Sequence, residues 1–172
     1  MIESSPLLAI AIPLVGGALI VGTGARRNLR EAVTLVTAGC LLAAVAALVP
    51  AALKGPSPTI EVLHVLPEIP LAFHVEPLGM IYALIASGLW ILNSIYSIGY
   101  MRGNRESHQT RFYLCFALSI ASVMGIAFSA NMLTLFICYE TLSLVTYPLV
   151  THTAPKPAAA RAARAVNTGR NS

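Results

Sequence analysis

Glu140 is the residue of this chain best placed to do chemistry. It lies near the middle of NMLTLFICYETLSLVTYPLVT, residues 131–151, a stretch with no other formally charged side chain. A carboxylate carried into hydrocarbon costs roughly 2.5–3.5 kcal/mol on insertion scales. Such a group is neutralised, paired or turned toward a polar cavity, and by default it marks an ion or proton path. Ser143 and Tyr147 fall on the same helical face as Glu140, as do Leu133, Phe136, Ile137 and Leu144. Pro148 cannot donate to the carbonyl of Leu144, which leaves that acceptor open one turn past the acid. Glu140 is therefore expected to relay protons, with Ser143, Tyr147 and Pro148 forming a supporting polar pocket. The competing reading makes Glu140 a protonated packing group that holds helices together through a hydrogen bond.

Desolvation favours the neutral form of a buried acid unless a cation stands close by. No Lys, Arg or His occurs at similar depth in the other apolar blocks. Either the acid is neutral at pH 7 or its partner comes from another protein.

The other candidates carry less. Cys40, Cys115 and Cys138 all fall inside apolar blocks, an odd count with no metal-ligand spacing, and read as small buried hydrophobes. His64 and His74 share a segment with Glu61, Glu68 and Glu76, but without a tight motif they read as a solvated, mildly acidic loop. Asn93, Ser94, Tyr96 and Tyr100, with Trp90 further in, read as an interfacial group of the kind that forms aromatic belts. No nucleotide-binding glycine pattern, nucleophile elbow or Cys/His motif occurs, so no catalytic site, cofactor or metal is expected. The basic residues sit in short segments with no aromatic interleaving, which excludes a nucleic-acid partner despite a net charge of +4.

Long elements must position these residues. The chain is 56% hydrophobic and 10% charged, with a mean hydropathy of +0.74, where soluble domains carry about 25% charged residues. Five apolar blocks, at about 6–23, 32–53, 77–100, 112–130 and 132–151, are each long enough to span about 30 Å of hydrocarbon as a helix. The expected fold is an all-α membrane protein, a bundle of five transmembrane helices over residues 1–153. The first block has no preceding Lys or Arg and reads as an ordinary first helix rather than a signal peptide. Arg26, Arg27, Arg30, Arg102, Arg105, Arg111, Lys156, Arg161, Arg164 and Arg170 occupy alternate connecting segments, ten of the eleven basic residues. That alternation predicts an outside N-terminus and a cytoplasmic C-terminus; the expected location is the cell inner (plasma) membrane. Residues 54–76 form the sizeable outside loop, broken by Pro56, Pro58, Pro67 and Pro70, with a half-buried strand pattern through Ile69, Leu71, Phe73 and Val75. Residues 154–172 are a basic tail. Asn131 is placed to cap the fifth helix.

These residues resemble a known family. Asn131, Leu135-Phe136, Tyr139-Glu140 and Thr146-Tyr147 are similar to the fifth helix of the antiporter-like subunits of respiratory complex I and of Mrp-type cation/proton antiporters. IYSIGYM at residues 95–101 resembles the motif closing the family's third helix, and Arg111-Phe112-Tyr113 the start of its fourth. The likeness covers residues 76–165 and leans toward the D-type members of the Mrp group; Tyr139 stands where Trp is more usual. The resemblance implies that Glu140 is the essential acid of the fifth helix and pairs with a lysine on a seventh. It also implies partners among the membrane subunits of a larger assembly, with H+ and, in the antiporter form, Na+ as the ions, and a place in an NADH:quinone oxidoreductase-like complex. The family has about fourteen helices in two inverted repeats, so this chain is expected to be an N-terminal piece. The alternative function is a non-transporting structural or assembly subunit.

Overall fold

The computed structural model describes residues 5–24, 26–53, 59–66, 69–104 and 109–150. In chain order these form α1 (Ser5–Gly22), α2 (Arg27–Leu53), β1 (Ile60–Leu66), β2 (Ile69–Phe73), α3 (Pro77–Asn104), α4 (Gln109–Ala127) and α5 (Met132–Val150). The basic tail lies outside the described residues.

Three stretches are long and apolar enough to cross a membrane: Arg27–Pro50, Pro77–Met101 and Gln109–Ala127. The apolar parts of α1 and α5 are shorter, Pro6–Gly22 and Met132–Tyr147. At 1.5 Å per residue the 18 residues of α1 reach about 27 Å, close to the hydrocarbon thickness.

Four of the helices close on one another. α1 packs on α2 and α4, α2 on α3, and α3 on α4, so α1–α4 form a ring. Its interior holds Ala9 and Ile20 from α1, Ala38, Leu41 and Val45 from α2, Ala83 and Trp90 from α3, and Tyr113, Ala117 and Met124 from α4. Small residues permit the approach. A side chain on Gly16 would run into Thr37 of α2, and one on Gly79 into the carbonyl oxygen of Ala127 in α4. Without a strong hydrophobic drive between helices in lipid, such close backbone contact is a main source of association. α5 stands outside the ring, docked on α4 and touching β2.

The two ends of the ring are built differently. At one end α2 starts at Arg27, ahead of the apolar block, and buries Arg30 to 5% exposure. Its guanidinium donates to Gln109 Oε1 and, at 2.9 Å, to Thr110 Oγ1 on the first turn of α4. The same group lies 5.4 Å from the ring centroid of Tyr113. Gln109 Nε2 then donates to the carbonyl of Met101 at 3.3 Å, joining α3 to the same knot. Arg30, legible in the sequence only as a loop charge, is thus a buried clamp across three helices.

At the other end β1 and β2 form an antiparallel hairpin in which Ile60 pairs with Phe73, Leu63 with Leu71 and Leu66 with Ile69. The proline-rich segment therefore contributes two strands where the alternation pointed to one. Ile60–Leu66 lacks a clean period-two pattern because its side chains are not sorted onto a buried face: Glu61, Val62 and Leu63 are all exposed. The far edge of β2 is taken by the α4–α5 turn. His74 N–H donates to Phe128 O at 2.7 Å, Ala130 N–H donates to Ala72 O at 2.9 Å, and Phe73 bridges Ser129.

Candidate functional site on the outer face of α5

Asn131 sets the start of α5. Its Oδ1 accepts from Thr134 N–H at 2.8 Å, the expected N-cap, while its Nδ2 donates to Pro70 O at 2.7 Å. Thr134, fully buried, donates its hydroxyl to Asn131 Oδ1 and accepts from Ala72 N–H at 3.0 Å. One cap residue therefore fixes both the helix and the hairpin it leaves.

From that anchor the helical phase decides what each side chain meets. Thr134 turns toward β2 and Cys138 toward α4, and Leu133 and Ile137 are half-buried. The opposite side carries Met132, Leu135, Phe136, Tyr139, Glu140, Ser143, Leu144 and Tyr147, all exposed. These positions recur at three- and four-residue spacing, so they form one stripe. Glu140 stands at its centre, about 12 Å along the axis from Met132. Every neighbour on the stripe but Ser143 is apolar or aromatic.

The sequence-derived site residues are distributed accordingly. Glu140, Ser143 and Tyr147 share this open stripe, and the backbone of Pro148 continues α5 one residue beyond Tyr147. Among the described residues no hydrogen-bond or ion-pair partner of the Glu140 carboxylate is present. The Ser143 hydroxyl donates to Tyr139 O at 3.1 Å, Thr141 to Ile137 O at 2.8 Å and Thr146 to Leu142 O at 2.9 Å. Hydroxyls deep in an apolar helix take this course because their own helix supplies the nearest acceptor. The side chains of Glu140, Ser143 and Tyr147 are exposed and do not enclose a cavity by themselves. A shallow cleft of about 530 Å³ lies on the first turn of α2, lined by Arg26, Arg27, Asn28, Leu29 and Ala32, and shares no residue with α5.

The interfacial reading of α3 is corrected. Trp90 and Ser94 are 1% and 2% exposed and face the centre of the ring, because the phase of α3 that buries Ala83 and Ser87 also buries them. Tyr96 and Tyr100 remain outside, 70% and 45% exposed, with rings stacked at 6.2 Å. Among the described residues no three His, Cys, Asp or Glu gather in a group that could hold a metal ion. His74 Nδ1 lies 3.4 Å from Thr59 Oγ1, and the His64 side chain lies outside the described residues.

Comparison with known proteins matches residues 67–113 to the family model described as NADH-Ubiquinone oxidoreductase (complex I), chain 5 N-terminus. That match ends in the first turns of α4 and does not reach Glu140. NADH-quinone oxidoreductase subunit L of Mycobacterium tuberculosis is 28% identical over 166 residues, covering 91% of this chain and 26% of the relative. F(420)H(2) dehydrogenase subunit L of Methanosarcina mazei is 30% identical over 52% of this chain and 13% of its own length. Na(+)/H(+) antiporter subunit A1 of Staphylococcus aureus is 29% identical over 45% of this chain and 9% of its own. Among solved structures, a chain of the membrane-bound sulfane sulfur reductase (MBS), an archaeal respiratory membrane complex, superposes with a TM-score of 0.69 at 19% identity. That likeness covers 86% of this chain and 23% of the other, and it concerns the fold alone. The chain is similar to the N-terminal part of antiporter-like membrane subunits and spans about a quarter or less of the length of these relatives. Together with the three long apolar helices this makes it a multi-pass membrane protein.

Proposed function

We propose that this chain is a part of a complex I- or Mrp-type assembly that moves protons, or exchanges Na+ for H+, and that Glu140 takes part in the proton step. The observation that carries the reading is a lone carboxylate at the centre of an open stripe on α5 that is apolar or aromatic except for Ser143. A charge there is tolerated where a second protein surface brings a counter-charge or water to it. Ser143 and Tyr147 flank Glu140 on the stripe and would complete a polar pocket with that surface, next to the open carbonyl that Pro148 leaves.

All five helices are taken to span the bilayer, over residues 1–153, with the N-terminus outside and residues 154–172 in the cytoplasm. What supports this is the shared end of Arg26, Arg27, Arg30 and Arg111, opposite the hairpin. The membrane is then the cell inner (plasma) membrane. The partners are the other membrane subunits, and the resemblance suggests a lysine from a further helix as the counter-charge of Glu140.

The test is Glu140→Gln in the assembled complex, with pH-gradient formation measured in inverted vesicles. The reading expects assembly to persist and the gradient to fall at least tenfold, with partial recovery in Glu140→Asp. A normal gradient from normally assembled Glu140→Gln complex removes the proton role. The same open stripe, with Phe136, Tyr139, Leu144 and Tyr147, also suits a purely structural docking subunit. On that reading Glu140→Gln lowers the yield of complex while transport per complex stays unchanged.

A further inference from the structure

We propose that the α1–α4 ring holds an internal water molecule bound by Trp90 and Ser94, at the middle of α3. Two polar atoms there have no partner among the described residues, the Nε1–H of Trp90 and the Oγ of Ser94, on residues 1% and 2% exposed. They stand four residues apart, one above the other on the same helical face. The indole offers only a donor, whereas the hydroxyl both donates and accepts. Leaving such a group unsatisfied inside a protein costs about 1–3 kcal/mol, and in a hydrocarbon surround no bulk water relieves it.

Trp90 lies about 20 Å along the helix from each end of α3. That is too deep for headgroup hydration, and the ring of α1–α4 shuts out the sides. Other buried hydroxyls of the ring are committed as donors to their own helices: Ser87 to Leu84 O at 3.0 Å, Thr34 to Arg30 O at 3.0 Å and Ser119 to Cys115 O at 2.9 Å. None of them brings a proton to the Ser94 oxygen. Their spare lone pairs, however, remain open. Ser87 is fully buried and one turn before Trp90 on the same face, so Ser87, Trp90 and Ser94 present an acceptor, a donor and a group that can be either. A buried water makes two to four hydrogen bonds to groups of this kind. One molecule accepting from Trp90 and bonding Ser94 satisfies both orphaned atoms at once. The site is separate from the α5 stripe and does not depend on the role of Glu140.

Trp90 is the single tryptophan of the chain, so its indole reports on this site without interference. The full chain, labelled with 15N-tryptophan and reconstituted in lipid nanodiscs, is examined for magnetisation exchange between the indole proton and water. The expected result is a water cross-peak on that one indole resonance that is lost in Ser94→Ala and weakened in Ser87→Ala, with Trp90 emission shifting to the blue as the water leaves. Circular dichroism establishes that each variant keeps its helix content. Should Ser94→Ala fail to fold, the wild-type spectrum decides alone. An indole proton with no water cross-peak overturns the proposal, whether it is unbonded or bonded directly to the Ser94 oxygen.

Discussion

Gly125 of α4 and Cys138 of α5 meet so closely that a Cβ added to the glycine would lie 2.7 Å from the cysteine sulfur. Two residues beyond Cys138, about 200° around the helix, comes Glu140. The glycine that lets α5 settle on α4 therefore also turns the acid away from it. Gly125→Leu is expected to push α5 off α4, destabilise the bundle by about 1–3 kcal/mol and misdirect Glu140. In a chain keeping Cys138 as its sole thiol, alkylation by a membrane-permeant reagent should speed up at least tenfold. An unchanged alkylation rate would mean that this contact does not hold the helix.

Glu140 touches no partner among the described residues, so its substitution should leave this chain's own stability alone. Glu140→Gln is expected to change the thermal unfolding of the purified chain by less than about 0.5 kcal/mol, as surface substitutions do. A large loss of helix content in the isolated variant would show that the carboxyl braces the bundle itself.

Arg30 should behave in the opposite way. Its bonds to Gln109 and Thr110 are charge-assisted, about 1.5–3 kcal/mol each. Arg30→Ala should lower the melting temperature well beyond any effect at exposed Arg26 or Arg27. Arg30→Lys should recover only part of the loss, since an ammonium cannot span both acceptors as the guanidinium fork does. Equal melting of Arg30→Ala and Arg27→Ala would dismiss the clamp.

Asn131 has two separable duties. Asn131→Asp keeps an oxygen to cap Thr134 but loses the donor to Pro70, whereas Asn131→Ala loses both. The alanine variant should cost about 1–2 kcal/mol. Hydrogen exchange at the amide of Ala72, which donates to Thr134, should accelerate in both variants and more in the alanine one. Protection of Ala72 equal to wild type in Asn131→Ala would separate the cap from the hairpin.

At Gly79 the obstacle is backbone rather than side chain, because a Cβ would strike the carbonyl of Ala127. That carbonyl belongs to the last residue of α4, and clearing it requires the main chain itself to shift. Gly79→Ala should therefore be more damaging to thermal stability than Gly125→Ala, whose obstacle is a rotatable thiol. The reverse order would contradict the packing of α3 on α4.

Legible along the chain were the apolar character of the elements, the cap at Asn131, the strand through Ile69–Phe73 and the isolation of one acid in α5. These follow from composition and local chemistry, which act through near neighbours in the chain. Which way each helix faces came from packing between distant segments. A helix that is apolar all round carries no stripe from which a buried side can be read, so Trp90 and Ser94 looked interfacial and Arg30 looked like a loop charge. Their burial follows from the close packing of the ring helices, where Gly16 meets Thr37 and Gly79 meets Ala127. Glu140 shows both halves: its presence in an apolar helix is written in the chain, while its outward aim comes from the contact that α4 makes two residues earlier.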